Sequence, residues 1–267
     1  MQKKVVIITG ASSGIGKALA EKYAAEGWNL VLAARREERL RELKERLSKT
    51  EVLAVKTDVS VEGDCKNLVE KAVKKFGQID VLINNAGISM RALFNNTEME
   101  VMHQVMDVNY WGTVNCTRHA LPHILKQKGS VVGVISVGGY IGLPGRTGYS
   151  ASKFAVRGFL ETLRIENLKT GLHVLVAAPG FTASEIRKSA LLANGDKQGE
   201  TPRNENKMMS AEECAVHIFR AVEKRKRQLV LTFLEGKLTV FLSKIMPRFL
   251  DKMNYKMFAS EPDSPFK

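Results

Sequence analysis

Tyr149 and Lys153 stand one helical turn apart in the segment Tyr149-Ser150-Ala151-Ser152-Lys153. A phenol with its ordinary pKa of about 10 is a poor proton donor or acceptor near neutrality. A lysine at i+4 on the same helix face sets a positive charge beside the phenol oxygen and favours the phenolate. That moves the tyrosine towards the range in which general acid–base catalysis is efficient. Such pairs are also common on solvated helix surfaces, so the meaning of this one rests on the elements that would position it.

The N-terminal run Lys3-Lys4-Val5-Val6-Ile7-Ile8 is apolar and β-branched, the pattern of a parallel strand buried on both faces. It leads into Thr9-Gly10-Ala11-Ser12-Ser13-Gly14-Ile15-Gly16, after which Ile15, Leu19 and Tyr23 recur at helical spacing. Glycines at a strand-to-helix turn let the backbone approach a pyrophosphate, which then rests on the free N–H groups of the helix N-terminus. A turn shaped only by packing is the alternative. The strand before it and the helix after it favour the nucleotide.

A second strand, Asn29-Leu30-Val31-Leu32-Ala33-Ala34, ends where a fold of this kind that binds NAD carries an acid for the adenosine ribose. Ala34 stands there, followed by Arg35 and Arg36. A carboxylate would repel a 2′-phosphate, whereas an arginine fork can bind one, so this corner points to NADP(H) over NAD(H). Either arginine could instead be a solvated residue opening the next helix.

Together these residues resemble the single-domain branch of the short-chain dehydrogenase/reductase family, over about Lys3 to Thr232. Thr9-Gly10-x-x-x-Gly14-x-Gly16 matches its cofactor motif, Asp58-Val59 its adenine-side pair, and Asn84-Asn85-Ala86-Gly87 a further family motif. Asn109, Ser136, Tyr149 and Lys153 match the catalytic tetrad in order and spacing, and Pro179-Gly180 matches the loop beside the nicotinamide. The resemblance implies that Tyr149 donates a proton to a substrate carbonyl as hydride arrives, or accepts it in reverse. It implies that Lys153 holds the cofactor ribose and depresses the tyrosine pKa, that Ser136 orients the carbonyl, and that Asn109 holds a water leading to Lys153. Where the family usually has a threonine contacting the carboxamide this chain has Ser184, with Thr182 nearer, and either hydroxyl could make that contact. The cofactor-binding set expected on these grounds is Thr9, Gly10, Ser12, Ser13, Gly14, Ile15, Gly16, Arg35, Arg36, Asp58, Val59, Asn85, Ala86, Gly87, Tyr149, Lys153, Pro179, Gly180, Thr182 and Ser184.

A chain of 267 residues in which strand-like runs alternate with helical patterns predicts one α/β domain, a doubly wound parallel sheet of Rossmann type. The catalytic domain is expected over residues 1–233, with a substrate lid at about 186–210, and an amphipathic tail over 234–267. Cys65, Cys116 and Cys214 are isolated and lack metal-ligand spacing, so they read as reduced cytosolic thiols and no metal is expected. The first strand starts at the third residue, which leaves no room for a signal or transit peptide, and no apolar stretch is long enough to span a bilayer. A cytoplasmic protein is expected. The net charge of +13 invites a nucleic-acid reading, but the basic residues alternate with glutamates along helices, as in Arg35-Arg36-Glu37-Glu38-Arg39, without a stacking platform. No nucleic-acid partner is expected.

The tail differs. Lys244, Arg248, Lys252 and Lys256 recur every four residues beside an apolar stripe of Leu238, Leu242, Ile245, Phe249 and Met253, widened by Phe241, Leu250 and Met257. That is the pattern of a helix lying in a membrane interface, with Pro247 dividing it in two. Packing on its own domain or on a partner subunit is the other reading. The tail also resembles the C-terminal segment of membrane-associated members that reduce lipid ketones, such as 3-ketodihydrosphingosine reductases. Leu191, Leu192, Met208 and Met209 could line an apolar pocket in the lid, or could equally be ordinary lid packing. The expected activity is NADPH-dependent reduction of a hydrophobic ketone, with 3-ketosphinganine as candidate, in a homo-oligomer touching membrane through its tail. The rivals are a hydroxysteroid or small-alcohol dehydrogenase, and a non-catalytic NADP(H)-binding sensor or scaffold.

Overall fold

Seven short apolar strands account for the centre of the molecule. The structure, a computed structural model, describes residues 3–200, 208–261 and 264–266, so Thr201–Lys207 of the expected lid lie outside the described residues. In chain order the strands are β1 (Val5–Thr9), β2 (Asn29–Ala34), β3 (Val52–Lys56), β4 (Val81–Asn84), β5 (Ser130–Val134), β6 (His173–Ala178) and β7 (Gln228–Val230). They pair in the order β3-β2-β1-β4-β5-β6-β7, every neighbour parallel. The intervening helices are α1 (Gly14–Ala25), α2 (Glu37–Arg46), α3 (Glu62–Phe76), α4 (Met99–Met106), α5 (Gly112–Lys126), α6 (Thr147–Glu166) and α7 (Ala211–Glu223).

Successive strand side chains point to opposite faces, so a continuous apolar run fills two cores at once. Val5 and Ile7 of β1 join Leu82, Val131 and Val174 in a core closed by Leu68 of α3, Ala120 of α5 and Leu160 of α6. Val6 and Ile8 join Leu30, Ile83 and Leu175 under Leu19 and Tyr23 of α1, Leu40 of α2 and Ile218 of α7. Each fully buried branched aliphatic side chain contributes roughly 1.5–3 kcal/mol, and β1 carries four in a row. The sheet order reverses between β1 and β4, and a crevice opens at the carboxyl ends of these two strands. The doubly wound architecture agrees with the sequence reading.

After β7 the chain makes a π-helical turn over Phe233–Leu238, then α8 (Thr239–Ile245) and α9 (Pro247–Ala259). Pro247 opens α9, where its missing N–H costs nothing. Val240 and Leu250 pack against Val137 and Ile141, so one face of the tail rests on its own domain. Beyond α9 the Glu261 carboxylate accepts a 2.9 Å hydrogen bond from Arg91, and both side chains are buried. Removing one partner of a buried pair leaves a charge that neither water nor protein solvates. Glu261→Ala is therefore expected to lower stability by about 3 kcal/mol. Urea unfolding measures this, and the paired replacement Arg91→Met/Glu261→Leu should recover most of the loss.

Candidate active site

The crevice between β1 and β4 is shaped first by backbone. Thr9 closes β1, and its hydroxyl donates to the Ile83 carbonyl (3.3 Å) while accepting from the Asn85 and Ala86 N–H groups (3.0 Å each). The Asn85 side-chain amide returns a 2.9 Å bond to the Thr9 carbonyl. Gly10 follows at φ +66°, and a Cβ there would sit 2.8 Å from Ala86 Cα. A Cβ on Gly16 would collide with the Gly10 carbonyl oxygen. Only glycine permits the turn at both positions, and it brings the N-terminus of α1 to the floor of the crevice.

Helix α6 carries Tyr149 and Lys153. Its buried stripe runs Tyr149, Lys153, Val156, Leu160 and Leu163, so the lysine occupies a position that burial would ordinarily give to an apolar residue. The Lys153 ammonium donates to the Val134 carbonyl (3.0 Å) and lies 5.8 Å from the centre of the Tyr149 ring. Burial lowers Lys153 from 10.5 to about 8. Burial also acts most strongly on Tyr149 and pushes its phenol above 10, against the hydrogen bond from Ser136 and the charges of Arg146 and Arg187. This corrects the expectation of a depressed phenol: in the cofactor-free chain desolvation of the ring outweighs every neighbouring charge.

Ser136 follows β5, where its hydroxyl accepts from the Gly138 N–H (3.1 Å) as it caps a short 3-10 turn. Asn109 lies in a π-helical segment, Asp107–Trp111, between α4 and α5. Its amide spans both backbone groups of Ile88, accepting from N–H (2.8 Å) and donating to C=O (3.0 Å), and donates to Ser152 (2.9 Å). A point 3.0 Å from Asn109 Oδ1 and 3.4 Å from Lys153 Nζ marks where a Gly87 Cβ would stand, so both side chains crowd Gly87.

A cavity of about 590 Å³ gathers nearly all of the expected residues. Gly10, Ser12, Ser13, Gly14, Ile15, Arg35, Arg36, Asp58, Val59, Asn85, Ala86, Gly87, Ser136, Tyr149, Lys153, Pro179, Gly180, Thr182 and Ser184 all line it. Thr9, Gly16 and Asn109 stand behind its wall and hold it in shape. The nucleotide half fits a dinucleotide cofactor, since the glycine turn and a helix N-terminus are the donor set that a pyrophosphate requires. Of the four apolar lid residues expected in a pocket, only Leu191 lines the cavity, while Met209 is partly buried against the core that α1 and α7 cover. Thr182 is buried with its hydroxyl turned to the Gly180 carbonyl (3.3 Å), and Ser184 lies over Gly14.

Sequence reasoning missed Arg146 and Arg187. Arg146 donates to Ser89 (2.9 Å) and Arg187 to the Thr182 carbonyl (2.9 Å), and both line the cavity beside the phenol. Arg187 had no readable signal, because an arginine in a polar segment looks solvated until the segment folds inward. Among the described residues no group of three His, Cys, Asp or Glu side chains could hold a metal ion.

The family profile described as short chain dehydrogenase matches residues 4–194. The 11-beta-hydroxysteroid dehydrogenase-like 4A of Arabidopsis thaliana is 41% identical over 79% of this chain and 71% of its own length. A short chain dehydrogenase/reductase from Burkholderia phymatum in complex with NAD superposes with a TM-score of 0.77 at 28% identity, over 85% of this chain and 88% of that one. An alcohol dehydrogenase from Thermococcus sibiricus complexed with 5-hydroxy-NADP gives 0.73 at 25% identity, over 85% and 94%.

The lowered Lys153 has a thermodynamic consequence. Between about 8 and 10.5 the unfolded chain holds a proton on Lys153 that the folded chain has released, so stability rises with pH across that window. Lys153→Met lacks this slope. Its stability advantage over the cofactor-free wild type should narrow as pH climbs from about 8 to about 10.5, as read by urea midpoints at a series of pH values. A gap that ignores pH would show that the lysine titrates as it does in water.

Proposed function

The chain belongs to the short-chain dehydrogenase/reductase family, and from that premise we propose that it reduces a hydrophobic ketone to a secondary alcohol with NADPH. The observation that carries this is the convergence of Tyr149, Ser136 and Lys153 in one cavity with the glycine turn. A nicotinamide cofactor, when bound, supplies hydride to the carbonyl carbon. Tyr149 gives its phenol proton to the carbonyl oxygen, and a phenol that burial keeps neutral is in the protonation state reduction needs. Ser136 hydrogen-bonds the same oxygen and sets its direction. Lys153 holds the ribose hydroxyls and offers a positive charge to the phenolate left behind. Asn109 keeps Ile88 and Ser152 in place around that lysine.

NADP(H) over NAD(H) is supported by the corner at the end of β2. Ala34 leaves it without an acid there, and Arg36 reaches across to Ser12 (3.0 Å) and Ser13 (2.7 Å) at the glycine turn. A hydrophobic substrate is supported by Ile88, Leu143, Ile186 and Leu191 on the cavity wall. 3-Ketosphinganine is the leading candidate, and the name of the Arabidopsis relative favours a steroid ketone as the second reading.

The tail fits a lipid substrate. Phe241, Ile245, Phe249 and Met253 are exposed, with Lys244, Arg248 and Lys252 beside them. That amphipathic face suits the interface of an anionic membrane. Asn254 and Tyr255 of α9 line a shallow depression together with Gly142 and Pro144, which flank Leu143 of the cavity wall. Among the described residues no helix is long and apolar enough to cross a membrane. In this reading the protein is cytoplasmic and the membrane contact peripheral. Exposed Trp111 and Phe154 support assembly into a homo-oligomer.

NADPH oxidation with detergent-dispersed 3-ketosphinganine, a steroid ketone and a small ketone tests the activity, with NADH in parallel. Turnover of a hydrophobic ketone with NADPH is expected, and Tyr149→Phe should lower it by about 10²- to 10⁴-fold while still binding cofactor. Activity unchanged in Tyr149→Phe would sink the mechanism. Independently, the protein should float with vesicles rich in anionic lipid and less with neutral ones. Phe249→Ser/Ile245→Ser should stay in the soluble fraction with normal turnover of a small ketone.

A further inference from the structure

The arginine corner is already engaged by a carboxylate from far along the chain. Glu185 lies after β6, 149 residues from Arg36 in sequence. Its Oε2 accepts from Arg36 Nη1 at 3.0 Å, and both of its oxygens accept from Arg39 Nη1 at 2.9 and 2.8 Å. The same Arg36 guanidinium donates to Ser12 through Nε (3.2 Å) and Nη2 (3.0 Å), and to Ser13 through Nη2 (2.7 Å). One anion thus sits on two guanidinium groups beside two hydroxyls, at the rim of the cofactor cavity. Partial burial opposes ionisation of Glu185, but the hydrogen bonds from Arg36 and Arg39 prevail and hold its carboxyl below the usual range.

Two guanidinium groups and two hydroxyls are the donors that recognise a phosphate monoester, which carries more charge than a carboxylate and three acceptor oxygens. A phosphate and Glu185 cannot both hold that fork, since each would repel the other across a few ångströms. Glu185 also belongs to the segment that places Ser184 over Gly14 and carries Ile186 and Arg187 to the cavity wall. What binds the arginines therefore acts on the backbone that brings Arg187 to Tyr149.

Building on the NADP(H) reading, we propose that Glu185 is an internal stand-in for the cofactor 2′-phosphate: it holds Arg36 and Arg39 in the cofactor-free chain, and the phosphate replaces it there. Glu185 then sets how strongly the site favours a 2′-phosphate, and its displacement frees the 181–190 segment to settle around substrate. A cofactor without that phosphate leaves the carboxylate in place. The contest is between exposed groups, so its size is modest and falls with ionic strength.

Titration calorimetry of wild type and Glu185→Gln with 2′,5′-ADP and with 5′-AMP tests this without any turnover, and hydrogen exchange of residues 181–190 follows the segment. Glu185→Gln should bind 2′,5′-ADP about 5-fold more tightly at low salt, with 5′-AMP changed by less than about 2-fold. In wild type, 2′,5′-ADP should speed exchange in the segment; the ligand-free variant should already exchange at that faster rate. If wild type prefers 2′,5′-ADP yet the variant binds it no more tightly, the role of Glu185 is wrong while the arginine corner stands. Weaker 5′-AMP binding by the variant would make Glu185 a ribose acceptor and overturn the proposal. No preference in wild type would remove the NADP(H) reading and this inference with it.

Discussion

Two strand ends tied together by one threonine and one asparagine hold the site. In a parallel sheet whose order reverses between β1 and β4, these strands diverge at their carboxyl ends and their last carbonyls and amides lose ladder partners. The Thr9 hydroxyl serves three backbone groups of β4 and its exit, and Asn85 serves Thr9 in return. The glycine turn hangs from one side of this knot, and the wall that meets Asn109 and Lys153 hangs from the other. A side chain at Gly10 or Gly16 would push the two apart. The chemistry of α6 has meaning only because this distance is held.

Burial then sets the electrostatics. Tyr149 and Lys153 ride on the core-facing stripe of α6, so both lose water, and both are driven towards their neutral forms. For the proton donor of the proposed reduction that is the useful direction. For a lysine it is a cost, offset by the Val134 carbonyl. The arginines near the phenol, Arg146 and Arg187, come from separate loops and pull against the desolvation. Polarity in this cavity is thus a balance between one rigid helix and two segments that pack over it.

The tail shows the same division of labour at lower cost. Its inward residues, Val240 and Leu250, dock on the loop after Ser136, while Phe241, Ile245 and Phe249 remain outside. A stripe wider than one helix contact can bury leaves apolar surface over. Helix periodicity in the sequence describes the width of the stripe. It does not tell which residues of the stripe meet protein.

Much of the fold was legible because it rests on local pattern. The run Val5–Ile8 read as a buried parallel strand since only that environment accepts apolar residues on both faces, and Pro247 marked the break between α8 and α9 because proline cannot continue a helix. The glycine turn, the Tyr149–Lys153 pair and the arginines after Ala34 were legible because their chemistry depends on spacing within one segment. What only the tertiary structure decided depends on contacts across the chain. The upward push on Tyr149 follows from how deeply α6 is packed, and spacing cannot show depth. Leu191 lines the cavity while Met209 packs against the core, because the segment after β6 folds inward in a way its composition does not encode. Glu185 meets Arg36 and Arg39 across nearly 150 residues of sequence, and no local pattern announces a partner so distant. Sequence specified which groups exist and which elements carry them; packing chose which of them meet and how much water they keep.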